Sequence, residues 1–209
     1  MPVKTLIDGF LGFREGYFVE DCALYESLGR DGQKPKALVI ACADSRVSPD
    51  TVLKTEPGDI FVVRSVANLV PPSGGPDVVD STSAALEYGV KALKVEHVIV
   101  MGHSQCGGIH ALLDGAPDFP HVEAWVSSHE PAARRVRETL GSAPKETQAR
   151  ACEQAAALTS IENLMTYPWI AERVEAGTLR LHAWYFDMKE GALWAFDPSQ
   201  NTYLRIDGQ

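Results

Sequence analysis

The feature that most constrains this chain is a pair of short, unbroken apolar runs, Ala37-Leu-Val-Ile-Ala41 and His97-Val-Ile-Val-Met101, the first followed at once by Cys42 and the second, after Gly102, by His103. Runs of this length without polar alternation are what strands covered on both faces require, as in a parallel sheet. Asp59-Ile-Phe-Val-Val63, after Pro57-Gly58, reads as another strand, and Asp77 to Leu93 reads as a helix between strands. Strands alternating with helices imply a parallel sheet joined by right-handed crossovers. Beyond Gly107-Gly108 the pattern is helical for most of the way to Ala176. Leu179 to Phe186 and Ala192 to Phe196 then predict two strands about a Glu190-Gly191 turn, with Trp184, Tyr185, Trp194 and Phe196 providing large apolar faces. Leu6 to Leu28 carries Leu6, Phe10, Phe13, Phe18, Cys22 and Leu24 at helical spacing and predicts one or two helices. The expected fold is α/β: a central, mostly parallel β-sheet flanked by helices, with an N-terminal helical arm and a C-terminal strand hairpin. We read 1–209 as a single domain, with the arm at 1–30, the core at 36–176 and the hairpin at 177–209.

Charge narrows the range of partners. Nineteen Lys and Arg against 28 Asp and Glu give a formal charge of −9, and no basic run forms a patch, so neither nucleic acid nor an anionic membrane is an expected partner. No stretch approaches the roughly 20 apolar residues of a membrane helix. The first residues, Met1 to Phe10, are broken by Asp8 and lack the apolar core of a secretion signal, so a cytoplasmic location is expected. The four cysteines therefore need a use other than disulfides.

Two segments offer that use: Cys42-Ala-Asp44-Ser-Arg46 after the first apolar run, and His103-Ser-Gln-Cys106-Gly107-Gly108 after the other. In open parallel sheets, ligands bind beyond the carboxyl ends of strands, where connections diverge. Thiolate and imidazole are the ligands zinc favours in tetrahedral geometry, and one His-x-x-Cys turn presents both to one ion. Cys42, His103 and Cys106 would leave a fourth position for water, the mark of a catalytic zinc. Asp44 admits two states, a closed Cys₂-His-Asp cage or an open site with the carboxylate held back. Arg46 is placed to hold it back in a bidentate pair. A closed zinc site that merely staples two loops is the bland alternative, and a redox pair is weaker because no Cys-x-x-Cys is present.

Taken together, Cys42-x-Asp44-Ser45-Arg46 and His103-x-x-Cys106-Gly107-Gly108 resemble the signature of the β-class carbonic anhydrases. Arg64-Ser-Val-Ala-Asn-Leu-Val-Pro-Pro72 resembles their plant-like branch. The resemblance is dense from about Gln33 to Leu113 and loose over the terminal hairpin. It implies reversible hydration of carbon dioxide to bicarbonate and a proton through a zinc-bound hydroxide, with one Zn²⁺ per chain. It also implies a substrate pocket of Gln33, Phe61, Val66, Tyr88 and Gly107, partly supplied by a neighbouring subunit. Gln33 would donate a hydrogen bond to substrate, and Asp44 and Arg46 would be catalytic. A homo-oligomer, a dimer or a higher even-numbered assembly, is expected. Carbonyl sulfide and carbon disulfide are isosteric substrates that the same motifs would serve, and a non-catalytic zinc-binding or bicarbonate-sensing module is the reading from another class. A bacterial branch of the family places a tryptophan of an inhibitory bicarbonate site where this chain has Val39, so closure by bicarbonate is not expected here.

Other residues carry less. Cys22 and Cys152 fall in expected helices as small hydrophobes. His110, His121 and His129 are candidates for moving protons. Gly74-Gly75-Pro76 reads as a loop rather than a phosphate cradle, and Arg134-Arg135-x-Arg137 as a solvated helix face.

Overall fold

A computed structural model of the chain describes residues 2–75 and 77–206. They fall into two compact units, Met1–Lys34 and Pro35–Gln209. The first holds three helical segments, α1 (Val3–Glu15), α2 (Tyr17–Glu20) and α3 (Cys22–Asp31), where the sequence suggested one or two. Gly16 and Asp21 interrupt what would otherwise be one long helix. Phe13, Phe18 and Tyr25 form a cluster of rings with centroids 5.1–6.1 Å apart. No residue of these helices is buried, and Leu6 and Phe10 are each 58% exposed.

The second unit is built on a six-stranded sheet of order β2-β1-β3-β4-β5-β6. The strands are β1 (Ala37–Cys42), β2 (Ile60–Ser65), β3 (His97–His103), β4 (Arg180–Asp187), β5 (Ala192–Asp197) and β6 (Thr202–Arg205). The first four are parallel and β5 and β6 are added by antiparallel pairing, so that only β5 runs opposite and the sheet is mostly parallel as expected. The expected terminal hairpin is present, β4 pairing antiparallel with β5, and it joins the sheet through β4, which pairs with β3 along seven residues. β6 escaped the sequence reading because Thr202-Tyr-Leu-Arg205 is short and largely exposed, leaving little periodicity to detect. β1 and β3 are buried along nearly their whole length, which is why they read as unbroken apolar runs.

The remaining helices are α4 (Pro49–Leu53), α5 (Ser81–Glu87), α6 (Gly107–Asp114), α7 (Pro120–Val126), α8 (Glu130–Leu140), α9 (Lys145–Leu164) and α10 (Pro168–Glu175). The helix expected from Asp77 starts at Ser81 instead. The Asp80 carboxylate accepts from the N–H groups of Thr82 and Ser83, and this capping sets the start. Tyr88–Ala92 then continues as a wider π turn, where Gly89 permits close packing: a Cβ there would lie 2.5 Å from Leu38 Cδ1. Pro76, in the segment read as a loop, lies outside the described residues. α9 presents Ala149, Cys152, Ala156, Ala157 and Ser160 to the interior, and these small side chains let it pack closely on β3 and β4. No described helix is long and apolar enough to cross a membrane.

The order of strands places the site. The chain leaves β1 for β2 on one side and returns as β3 on the other, so the connections diverge at the carboxyl ends of β1 and β3. Cys42 is the last residue of β1 and His103 the last of β3.

Candidate metal centre and active site

The divergence brings three donor groups to one point. Donor atoms of Cys42, His103 and Cys106 all lie within 4.8 Å of one another and all three residues are buried; no other such group of His, Cys, Asp or Glu occurs among the described residues. The two sulfurs are 3.9 Å apart. His103 Nδ1 donates to the Ser104 carbonyl at 2.9 Å, which leaves Nε2 as the lone-pair nitrogen. That Nε2 is buried and has no hydrogen-bond partner. An orphaned imidazole nitrogen beside two thiols is costly in a closed interior unless a cation takes the lone pair.

The thiols point the same way. The hydrogen bond from Cys106 pulls the Cys42 thiol well below its usual range, while that same bond, together with burial, pushes Cys106 far up. One of the pair ionises readily and the second resists, because two thiolates this close repel; a dication between them removes the conflict. Cys106 is the N-cap residue of α6, where the Ile109 N–H donates to its carbonyl at 3.1 Å and the nearby N–H groups of Gly108 and Ile109 favour its thiolate. The expectation that Gly107-Gly108 opens a helix whose N–H groups favour that thiolate matches this geometry. The donor set thus suits zinc: soft sulfur and imidazole, three ligands, tetrahedral reach.

Asp44 stands beside the trio, in the loop that leaves β1. Arg46 Nε donates to Asp44 Oδ1 at 2.9 Å and Nη2 to Oδ2 at 2.7 Å, and the Arg46 backbone N–H adds a bond to Oδ1. Hydrogen bonding from the guanidinium holds the Asp44 carboxyl well below the usual carboxylate range. Arg64, on β2, clasps the same loop through its backbone: Nε to Cys42 O at 3.0 Å and Nη2 to Asp44 O at 2.6 Å. Sequence reasoning had noted Arg64 only by likeness, since a side chain that holds carbonyls leaves no pattern in the sequence.

The expected pocket residues separate into groups. Val66 and Gly107 together line an apolar cavity of about 540 Å³ with Gly108, Ala111, Phe119 and Val122. Phe61 and Tyr88 do not line it; they pack on each other, ring centroids 5.9 Å apart, at the β2 edge of the sheet. Gln33 is exposed, just after α3 in the N-terminal unit.

Two supports of Val66 were missed. Trp125 Nε1 donates to the Val66 carbonyl at 2.8 Å. Gly108 allows α6 to approach the strained backbone of Ala67 and Asn68, which have φ of 60° and 51°. The glycine beside a ligand cysteine was the available signal; the tryptophan offered none.

His129, one of three histidines considered for proton movement, is fully buried with both ring nitrogens hydrogen-bonded. It is therefore removed from that role. Cys152 is buried in α9, and Cys22 bonds Glu26 within α3. Arg134, Arg135 and Arg137 lie on an exposed face of α8, where Arg137 pairs with Glu130.

Comparison with known proteins places this site in a family. A family model described as carbonic anhydrase matches residues 37–193. The chain is 43% identical over 205 residues to Beta carbonic anhydrase 5, chloroplastic, of Arabidopsis thaliana, covering 95% of this chain and 67% of that protein. Among solved structures, the β-carbonic anhydrase CcaA superposes with a TM-score of 0.93 at 35% identity, covering 99% of this chain and 93% of the other. One of two tetrameric β-carbonic anhydrases of Sordaria macrospora gives 0.84 at 27% identity, over 92% and 95%. The chain belongs to the carbonic anhydrase family, in its β class, and is an enzyme of that family, whose members hydrate carbon dioxide.

Proposed function

We propose that this chain reversibly hydrates carbon dioxide with one zinc ion held by Cys42, His103 and Cys106, and that Asp44 and Arg46 orient the reacting water. The observation that carries the reading is the unpartnered His103 Nε2 facing a close pair of cysteines, beside a carboxylate clamped by arginine. Bound there, zinc would lower the pKa of water from about 16 toward 7 and so supply a nucleophile near neutrality. Arg46 occupies both lone pairs of Asp44 Oδ1, through Nε and its backbone N–H, and one of Oδ2, and keeps the carboxylate ionised. The remaining lone pair of Oδ2 can accept a hydrogen bond from the attacking water and aim it. The same pairing restrains Asp44 from joining the cysteines and histidine as a fourth ligand. Gly107, whose missing Cβ would project into open space, and Val66 would form the apolar wall against which carbon dioxide rests.

Gln33, Phe61 and Tyr88 would complete that wall from a second copy of the chain. Supporting this, Tyr88 is half exposed and stands apart from the Val66 cavity, and α1 carries apolar residues that its own unit leaves uncovered. The Sordaria macrospora relatives are tetrameric. Sedimentation at micromolar concentration is expected to show a dimer or a multiple of it; a fully active monomer would contradict the shared pocket.

The deciding experiment is oxygen-isotope exchange between carbon dioxide and water, paired with metal analysis. One zinc per chain and rapid exchange are expected. A Cys42–Cys106 disulfide in active protein, or zinc-loaded protein without exchange, would overturn the proposal.

A further inference from the structure

The Gln105–Cys106 peptide is gripped at both of its polar atoms. Arg46 Nη2 donates to the Gln105 carbonyl at 3.1 Å. On the opposite edge of that peptide, the Cys106 N–H donates to Glu153 Oε1 at 3.1 Å. Gln105 has φ of 58°, a left-handed conformation that a non-glycine residue keeps only when its surroundings hold it there. Glu153 lies in the middle of α9 and is 3% exposed. Its other oxygen, Oε2, accepts the Tyr185 hydroxyl at 2.8 Å, so both oxygens are spent on neutral donors rather than on a cation. A carboxylate is expensive to bury, and this one is placed to fix one peptide.

We propose that Glu153 is a positioning residue of the metal centre: by clamping the Cys106 N–H it sets the direction of the Cys106 sulfur, and through the shared peptide it fixes the anchor on which Arg46 holds Asp44. Tyr185 fixes the carboxylate in turn. The proposal rests on the reading of Cys106 as a zinc ligand. Loosening the Glu153 contact frees the Gln105–Cys106 peptide to rotate, which turns the sulfur away from its two companions and removes the far support of Arg46.

The test uses the zinc-loaded protein and measures release of zinc to excess chelator, together with the visible absorption of the cobalt-substituted form, which reports ligand geometry. Glu153→Ala is expected to speed release by about 10–100-fold, the range usual for losing an outer partner of a metal ligand, and to change the cobalt spectrum. Glu153→Gln keeps an acceptor oxygen for Cys106 and should release zinc close to the wild-type rate. Asp187→Asn breaks the Arg150–Asp187 pair at 2.8 Å in the same cleft without touching the peptide, and should also release zinc normally whatever it does to thermal stability. Wild-type release from Glu153→Ala, or release from Asp187→Asn as fast as from Glu153→Ala, overturns the proposal. Should Glu153→Ala fail to fold, Tyr185→Phe decides: faster release supports the clamp and an unchanged rate refutes it. If the wild-type protein takes up no zinc, the metal-centre reading itself has failed. If it holds zinc and Glu153→Ala holds it equally well, only the clamp has.

Discussion

Acidification should destabilise this fold through His129, and the size of the effect follows from its contacts. Ser128 Oγ donates to the Trp125 carbonyl at 3.1 Å, so it can only accept from His129 Nδ1–H at 2.9 Å. Ser160 Oγ accepts the Val70 N–H at 3.1 Å and gives its own proton to His129 Nε2 at 2.9 Å. Every donor in this chain has one acceptor, and the imidazole is neutral with both nitrogens used. A proton added at Nε2 would break the bond that Ser160 now donates and force its hydroxyl proton to turn elsewhere, in a site with no counter-charge at hydrogen-bond distance. Burial pushes the His129 pKa down from 6.5 to about 4. The folded state therefore binds this proton less readily than the unfolded chain does. Stability is intact above the unfolded value, falls as pH drops below about 6.5, and levels off below about 4. By linkage the loss is about 2 kcal/mol at pH 5, on the order of a 30-fold change in the unfolding equilibrium, and approaches about 3 kcal/mol at pH 4. The assay is urea unfolding at pH 7.5 and pH 5, at fixed protein and zinc concentrations, for wild type and His129→Asn. The variant loses the Ser160 bond and starts about 1–3 kcal/mol less stable. Its further loss on acidification should be smaller than that of wild type by about 2 kcal/mol, the His129 share worked out above. Equal pH dependence in the two proteins would refute the assignment of this proton to His129.

Three further outcomes are expected. Arg46→Ala should keep zinc yet lose about 10²–10³ in hydration rate as Asp44 closes on the metal, and Asp44→Asn should lose a similar factor with the metal site still open; stopped-flow hydration with metal analysis checks both, and wild-type turnover in Arg46→Ala would end the clamp. Gly108→Ala would put a Cβ 2.8 Å from both Ala67 Cβ and Val66 Cγ1 and should cost about 1–3 kcal/mol in denaturant unfolding while displacing the Val66 wall; an unchanged midpoint and rate would show that the contact relaxes freely. Trp125→Phe removes the hydrogen bond to the Val66 carbonyl and should cost about 1 kcal/mol, read from the same unfolding curves; no change would mean water replaces the indole N–H.

Much of this molecule could be read before any coordinates. Ala37-Leu-Val-Ile-Ala41 and His97-Val-Ile-Val-Met101 announced buried parallel strands because such strands have no solvent face on which to place polar residues. The ligand candidates followed, since Cys42 comes directly after the first run, His103 one residue beyond the other, and Cys106 is one turn on. The start of α5 was misplaced because capping depends on one side chain, Asp80, reaching two N–H groups, and apolar spacing does not register that. β6 was lost because an exposed edge strand of four residues carries almost no pattern.

What the sequence determined alone is therefore local or covalent: which runs form buried strands, which side chains follow their ends, and that an arginine lies close enough along the chain to grip Asp44. Only the tertiary structure decided what depends on residues far apart in sequence. It brought Cys42 and Cys106 to 3.9 Å, turned Arg64 onto the backbone of the Asp44 loop, and set Glu153 of α9 beneath the Gln105–Cys106 peptide. It also separated Phe61 and Tyr88 from Val66, although the three lie within one stretch of chain. The physical reason is the same in each case. A hydrogen bond to a peptide group recognises backbone that every residue shares, so the partner leaves no trace in the sequence, whereas a thiol or an imidazole at a strand end declares its chemistry by its identity.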